Sequence, residues 1–200
     1  QGALEKQNYA YASEILRGIL LVAPGFEEAR LTLRQAQLER IAFKSNIFRQ
    51  TLALCAAAWA VFVKGPMALN KKDYAKALDI AEGALAKDPT VTTTLQFLRR
   101  VAERAGLLGI AVNALEIGVR FHPKNQALVR DLAMLYQQVN EATKSVQMLQ
   151  KLHALQPNNL QIENELKHAA ALAGMQEAKW EKADSYRDLI RDKDEAETLE

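Results

Sequence analysis

The chain has 200 residues, 49% of them apolar and 25% charged, with only nine glycines and five prolines. That balance belongs to a folded protein and speaks against disorder or a turn-rich β chain. The formal charge of +2, from 26 basic and 24 acidic residues, is too even for the basic stripe of a dedicated nucleic-acid binder.

Alanine and leucine lead the composition, with Lys, Glu, Gln and Arg behind them. These side chains lose little rotamer freedom in a helix, so the fold class is expected to be all-α. Residues 1–6 are polar and lack the apolar core of a secretory signal, and a cytoplasmic location is expected. The first residue is not methionine, so a fragment or processed chain is expected.

Tyr9, Ala12, Leu16 and Ile19, followed by Pro24, mark a first helix within residues 1–24. Residues 27 to about 43 read as the next, with Ala29, Leu33 and Ala36 at apolar positions. An irregular helical unit, 25–65, ends in an apolar helix over about 47–63. Its longest apolar run, 52–63, has twelve residues, short of the ~20 that a bilayer span needs. Two readings of this run stand. It is a helix buried between repeats, with the single cysteine, Cys55, inaccessible inside it; or Trp59 and Phe62 form a docking face for a membrane or partner. The first is favoured, because an apolar stripe more often faces a core. Gly65-Pro66 is expected to break this helix, with Pro66 in the first turn of a short new one.

A repeat then takes over. Pro89, Pro123 and Pro157 lie 34 residues apart, each closing an apolar-periodic run. Twelve residues before each proline stands a small residue, Ala77, Ala111 or Ser145. Eight before, the column reads Ala81, Leu115, Leu149; five before, it reads Ala84, Gly118, Leu152. Leu95, Leu98, Val101, Ala102 and Ala105 trace one helix face, Leu108, Ala111, Val112, Leu115 and Val119 the next, and Gly106 between them is a helix stop. Each unit is therefore an antiparallel pair, A then B, with small residues where the two approach. Units of about 66–91, 92–125 and 126–159 follow, and none can bury its apolar face without stacking on a neighbour. Residues 1–24 match the B helix of an earlier unit, whose A helix would precede Gln1. The segment 160–200 begins as another A helix, with Ile162, Leu166, Ala169 and Ala170. It continues into an amphipathic capping tail with Trp180, Ala183, Tyr186, Leu189 and Ile190.

A 34-residue helical hairpin with these small residues and a closing proline resembles the tetratricopeptide repeat (TPR) family. Asp73-Tyr74-Ala75-Lys76-Ala77-Leu78, running on to Ala84-Leu85 and Asp88-Pro89, is similar to its B-helix consensus, and Leu132, Ala133 and Tyr136 fit its A helix. The resemblance covers residues 72–159, while the A helix with Leu95, Leu98 and Ala102 lacks the family's Trp and Gly. The tail resembles that of longer bacterial TPR proteins. The resemblance implies a TPR-like solenoid of antiparallel hairpins in a right-handed superhelix, with the A helices lining a concave face that holds a protein or peptide.

The residues expected on that face are Gln96, Arg100 and Arg104, Arg130, Met134, Gln137 and Gln138, and Asn164 and His168. Arginine and asparagine can grip a carboxylate through charge-assisted hydrogen bonds, so an acidic partner is expected. Chaperone-binding TPRs clamp a terminal carboxylate with Lys, Asn and Arg; this chain has Arg100, Arg130 and Asn164 without the full set. The plainer reading is that these are solvated polar residues. No catalytic, metal or cofactor pattern stands out: His122, His153 and His168 make no i,i+4 pair, no glycine-rich phosphate loop is present, and the acidic residues read as scattered on solvated faces. The expected function is a non-enzymatic scaffold or adaptor, part of a larger protein or assembly, with no cofactor. The alternative is a membrane-peripheral adaptor docking through 52–63. An RNA-binding helical repeat is less favoured, because the charge is near neutral.

Overall fold

The computed structural model describes residues 8–42 and 58–197, with side chains for residues 8–39, 58–59 and 61–178. Every regular element among the described residues is helical. The chain divides into two compact units, Gln1–Leu128 and Val129–Glu200.

In the first unit, α1 (Tyr9–Val22) starts where the Asn8 side chain accepts from the Tyr11 backbone N–H at 3.3 Å. It returns as α2 (Glu27–Ala42), and the pair closes over Leu20, Ala29 and Leu33 with Leu16 beside them. Burying these side chains holds the hairpin, since a lone helix of this length is marginal in water.

Residues Ala60–Lys64 form a π turn that runs directly into α3 (Gly65–Asn70). Pro66 does stand in the first turn of α3, but the expected break does not occur: Lys64 keeps helical angles, φ −71° and ψ −37°. A proline has no N–H to donate and crowds the carbonyl one turn back. The wider π turn ahead of Pro66 accommodates both effects without ending the helix. The expected burial of the 52–63 run also needs correction at its described end. Val61, Gly65, Ala68 and Leu69 share the buried face, whereas Trp59 and Phe62 are 62% and 63% exposed. A helix offers one face to its neighbour, and here that face meets α4 (Tyr74–Leu85). Residues 43–57, including Cys55, lie outside the described residues, as do residues 1–7.

The chain then alternates. α4 packs on α5 (Thr92–Arg104), and α5 packs on α6 (Leu108–Phe121). α5 closes in a left-handed turn at Gly106 (φ +74°), with Leu107 N–H bonding to Ala102 O at 2.8 Å and Gly106 N–H to Glu103 O at 3.1 Å. These are the two bonds of a Schellman cap. α3 closes in the same way at Lys72 (φ +59°), with Asp73 N–H bonding to Ala68 O at 3.0 Å. Asp73 then caps α4 by accepting from the Lys76 N–H at 3.1 Å.

α7 (Gln126–Gln138) crosses from one unit to the other. In the second unit it ends at Asn140 (φ +61°), with Glu141 N–H bonding to Tyr136 O at 2.8 Å. Lys72, Gly106 and Asn140 thus form a left-handed column 34 residues apart, of which the sequence showed only the glycine. α8 (Ala142–Leu155) follows and packs against α9 (Leu160–Glu197). α9 is a single helix of 38 residues, so the tail carries on from the A helix with no turn between them. Gly174, exposed near its middle, weakens a helix without stopping it. The side chains of Trp180, Tyr186, Leu189 and Ile190 lie outside the described residues. The small column Ala77, Ala111 and Ser145 is fully buried.

Candidate protein-binding faces

α5 is strongly amphipathic because Leu95, Leu98, Val101 and Ala102 recur at three and four and turn one face inward. The opposite face carries Gln96, Arg100 and Arg104, four residues apart and one above another. Gln96 is half-buried, and both arginines are exposed with no ion pair among the described residues. Their neighbour Arg99 is engaged instead, donating from Nη1 to Glu103 at 3.0 and 3.2 Å.

The second unit holds the other six expected residues. Arg130 Nη2 stands 3.9 Å from Glu165 Oε2, so its charge has a counter-ion from α9. Gln161 donates to the other Glu165 oxygen at 2.9 Å. Met134, Gln137, Gln138, Asn164 and His168 are exposed. Three of the nine residues therefore share one face of α5, and six belong to the 129–200 unit. The unpaired positive charge among them is Arg100 and Arg104. Lys167 Nζ donates to Glu163 at 2.6 Å, and this hydrogen bond holds the Glu163 carboxyl below the usual carboxylate range.

The histidines are dispersed. His122 caps the end of α6, with Nε2 2.8 Å from the Thr90 carbonyl oxygen; His153 is half-buried and His168 exposed. Among the described residues no group of three or more His, Cys, Asp or Glu could hold a metal ion, and no helix is long and apolar enough to cross a membrane.

One polar cluster escaped sequence reasoning. The acidic residues read as solvated, yet the Glu82 side chain is only 3% exposed. Arg30 Nη1 donates to it at 2.7 Å, and Arg34 Nη2 donates to both its oxygens at 3.0 Å. Arg30 Nη2 also donates to the Pro24 carbonyl at 2.8 Å, and Arg34 Nη1 donates to Gln37 Oε1. This network fastens α2 to α4, beside a second pair in which Arg17 of α1 meets Asp79 of α4 at 2.6 Å. Burial pushes the Arg34 pKa down, against the pull of Glu82, and Arg30 adds to the lowering. The one sequence signal was Arg30 and Arg34 at i,i+4 on α2, flanking the buried Leu33.

No family model matches the chain, and no curated protein matches it. Solved structures do. The first TPR domain of the human RPAP3 protein is similar at 16% identity and a TM-score of 0.50, over 61% of this chain and 95% of that one. The first TPR of Spaghetti (RPAP3), bound to an HSP90 peptide, matches at 18% identity and a TM-score of 0.49, over 59% of this chain and 94% of that one. With the left-handed turns at Lys72, Gly106 and Asn140 and the buried small column, the fold is an all-α, TPR-like helical repeat.

Proposed function

We propose that the chain is a protein-interaction module whose α5 face, Gln96, Arg100 and Arg104, receives an acidic segment of a partner protein. The observation that carries this reading is the pair of exposed arginines, without a carboxylate partner among the described residues, on one face of an amphipathic helix. A guanidinium offers several donors in fixed geometry and matches a carboxylate. The TPR-like fold supports the class of function, because stacked hairpins present long polar helix faces while burying the others. In the second unit, Met134, Gln137, Gln138, Asn164 and His168 are exposed and open to contact, while Arg130 already has Glu165 as a counter-ion.

Affinity capture from native lysate followed by mass spectrometry supplies the partner. Binding is then measured with Arg100→Ala/Arg104→Ala. The double variant should bind about tenfold more weakly or worse, with more loss at low salt, and keep its helical content and melting temperature. Wild-type affinity in the variant would remove α5 as the site.

A second reading draws on the exposed Trp59 and Phe62, joined by exposed Val63 and Met67 on the same helix. It is peripheral docking to a membrane surface through this apolar stripe. Flotation with anionic liposomes tests it: wild type should float and Trp59→Ser/Phe62→Ser should not. A wild-type chain that stays at the bottom rules it out.

A further inference from the structure

Between α2 and α6 the first unit holds an open cleft of about 600 Å³, on elements that contribute nothing to the α5 face. Its size lies within the range of ligand-binding clefts. The walls include Leu31 and Phe121, which are 49% and 44% exposed, together with Leu38 and Ile117. Two cations line it, Arg34 and Arg120, against one carboxylate, Glu39.

Arg34 joins the cleft to the buried cluster on Glu82, and the charge of that cluster is not balanced. Arg30 and Arg34 share the single carboxylate of Glu82, which leaves a buried excess of one positive charge. Three buried donors in this cluster, Arg30 Nε, Arg34 Nε and Gln37 Nε2, have no acceptor among the described residues. An uncompensated charge at low dielectric is costly, and its field extends into the adjoining cleft because little water screens it. Arg120, on α6, is exposed, makes no ion pair among the described residues, and lies with its guanidinium carbon 5.9 Å from the Phe121 ring centroid.

We infer that this α2–α6 cleft binds an acidic peptide segment of a partner, with an apolar side chain seated between Leu31 and Phe121 and a carboxylate drawn to Arg120 and the Arg30–Arg34–Glu82 cluster. The apolar walls select against a bare inorganic anion, which would gain nothing from them. Glu39 and the small number of cations select against a nucleic-acid backbone, which needs many. The lowered pKa of Arg34 agrees with a guanidinium that burial has left short of negative charge. This site is separate from the α5 face and does not depend on it.

The test is calorimetric titration of the whole chain with a synthetic hexapeptide, a leucine–phenylalanine pair flanked by two aspartates on each side. Its counterpart carries asparagine in place of each aspartate. The acidic peptide should bind roughly tenfold more tightly than the amide peptide. Arg120→Glu, at an exposed position that leaves the fold intact, should erase that preference, and Phe121→Ser should weaken both peptides. Arg100→Ala/Arg104→Ala should leave the preference unchanged. Equal binding of the two peptides, no binding of either, or wild-type behaviour in Arg120→Glu overturns the inference. So does loss of the preference in the α5 variant, which would assign the peptide to that face instead.

Discussion

Arg34 gives one guanidinium nitrogen, Nη2, to both carboxylate oxygens of Glu82, at 3.0 Å each and across 48 residues of chain. With Arg30 on the same carboxylate, this contact ties the N-terminal hairpin to the repeat array. Removing the acid while both cations stay buried should be severe. Glu82→Ala is expected to cost about 3–5 kcal/mol, read from urea denaturation. Replacing all three charges, as in Arg30→Met/Arg34→Met/Glu82→Leu, should restore most or all of that stability, because the desolvation cost disappears with the ions. A triple variant less stable than Glu82→Ala would show that the network is needed for more than charge balance.

Gly65 meets Phe97. A Cβ at Gly65 would lie 2.8 and 2.9 Å from two Phe97 ring carbons and closer still to the ring tip, and Phe97 is itself buried. Gly65→Ala should therefore cost about 1–3 kcal/mol through overpacking. In a Phe97→Leu background the same change should cost clearly less, since the clashing ring is gone. Equal costs in both backgrounds, measured as a double-mutant cycle, would contradict the contact.

Lys72 holds φ +59°, where a side chain crowds the following carbonyl. Glycine removes that penalty, so Lys72→Gly should raise stability by about 1 kcal/mol despite its added freedom in the unfolded chain. Asn140→Gly should gain less, because asparagine tolerates the left-handed region. Thermal melts of the two variants decide the order, and a Lys72→Gly melting temperature below wild type would refute the strain.

Ala111 is fully buried at the small position of its repeat, where α6 faces α5. Ala111→Leu should overpack the hairpin and cost about 1–3 kcal/mol. An unchanged melting temperature would mean that this position has room to spare.

The repeat was legible because its signals are local. Pro89, Pro123 and Pro157 close helices by covalent geometry, and Ala77, Ala111 and Ser145 mark close approach by their size. The buried face of α5 follows from three-and-four spacing alone, and so does the outward position of Gln96, Arg100 and Arg104. Gly106 announced its left-handed turn, but Lys72 did not, because the repeat imposes on it a conformation that lysine does not favour, and Asn140 did not, because asparagine tolerates the left-handed region without requiring it.

What the sequence determined by itself is the helix period, the 34-residue register and the all-α class, since each depends on neighbours within one or two turns of the chain. The tertiary structure alone decided three other matters. Glu82 is buried because α2 crosses α4, and no local pattern distinguishes it from a solvated glutamate. Trp59 and Phe62 are exposed because the helix turned Val61, Gly65 and Leu69 toward α4, a choice between two apolar faces that only packing makes. Among the described residues Arg130 has a counter-ion and Arg100 has none, because Glu165 reaches Arg130 from another helix, and a charge's counter-ion is set by distance in space rather than by separation along the chain.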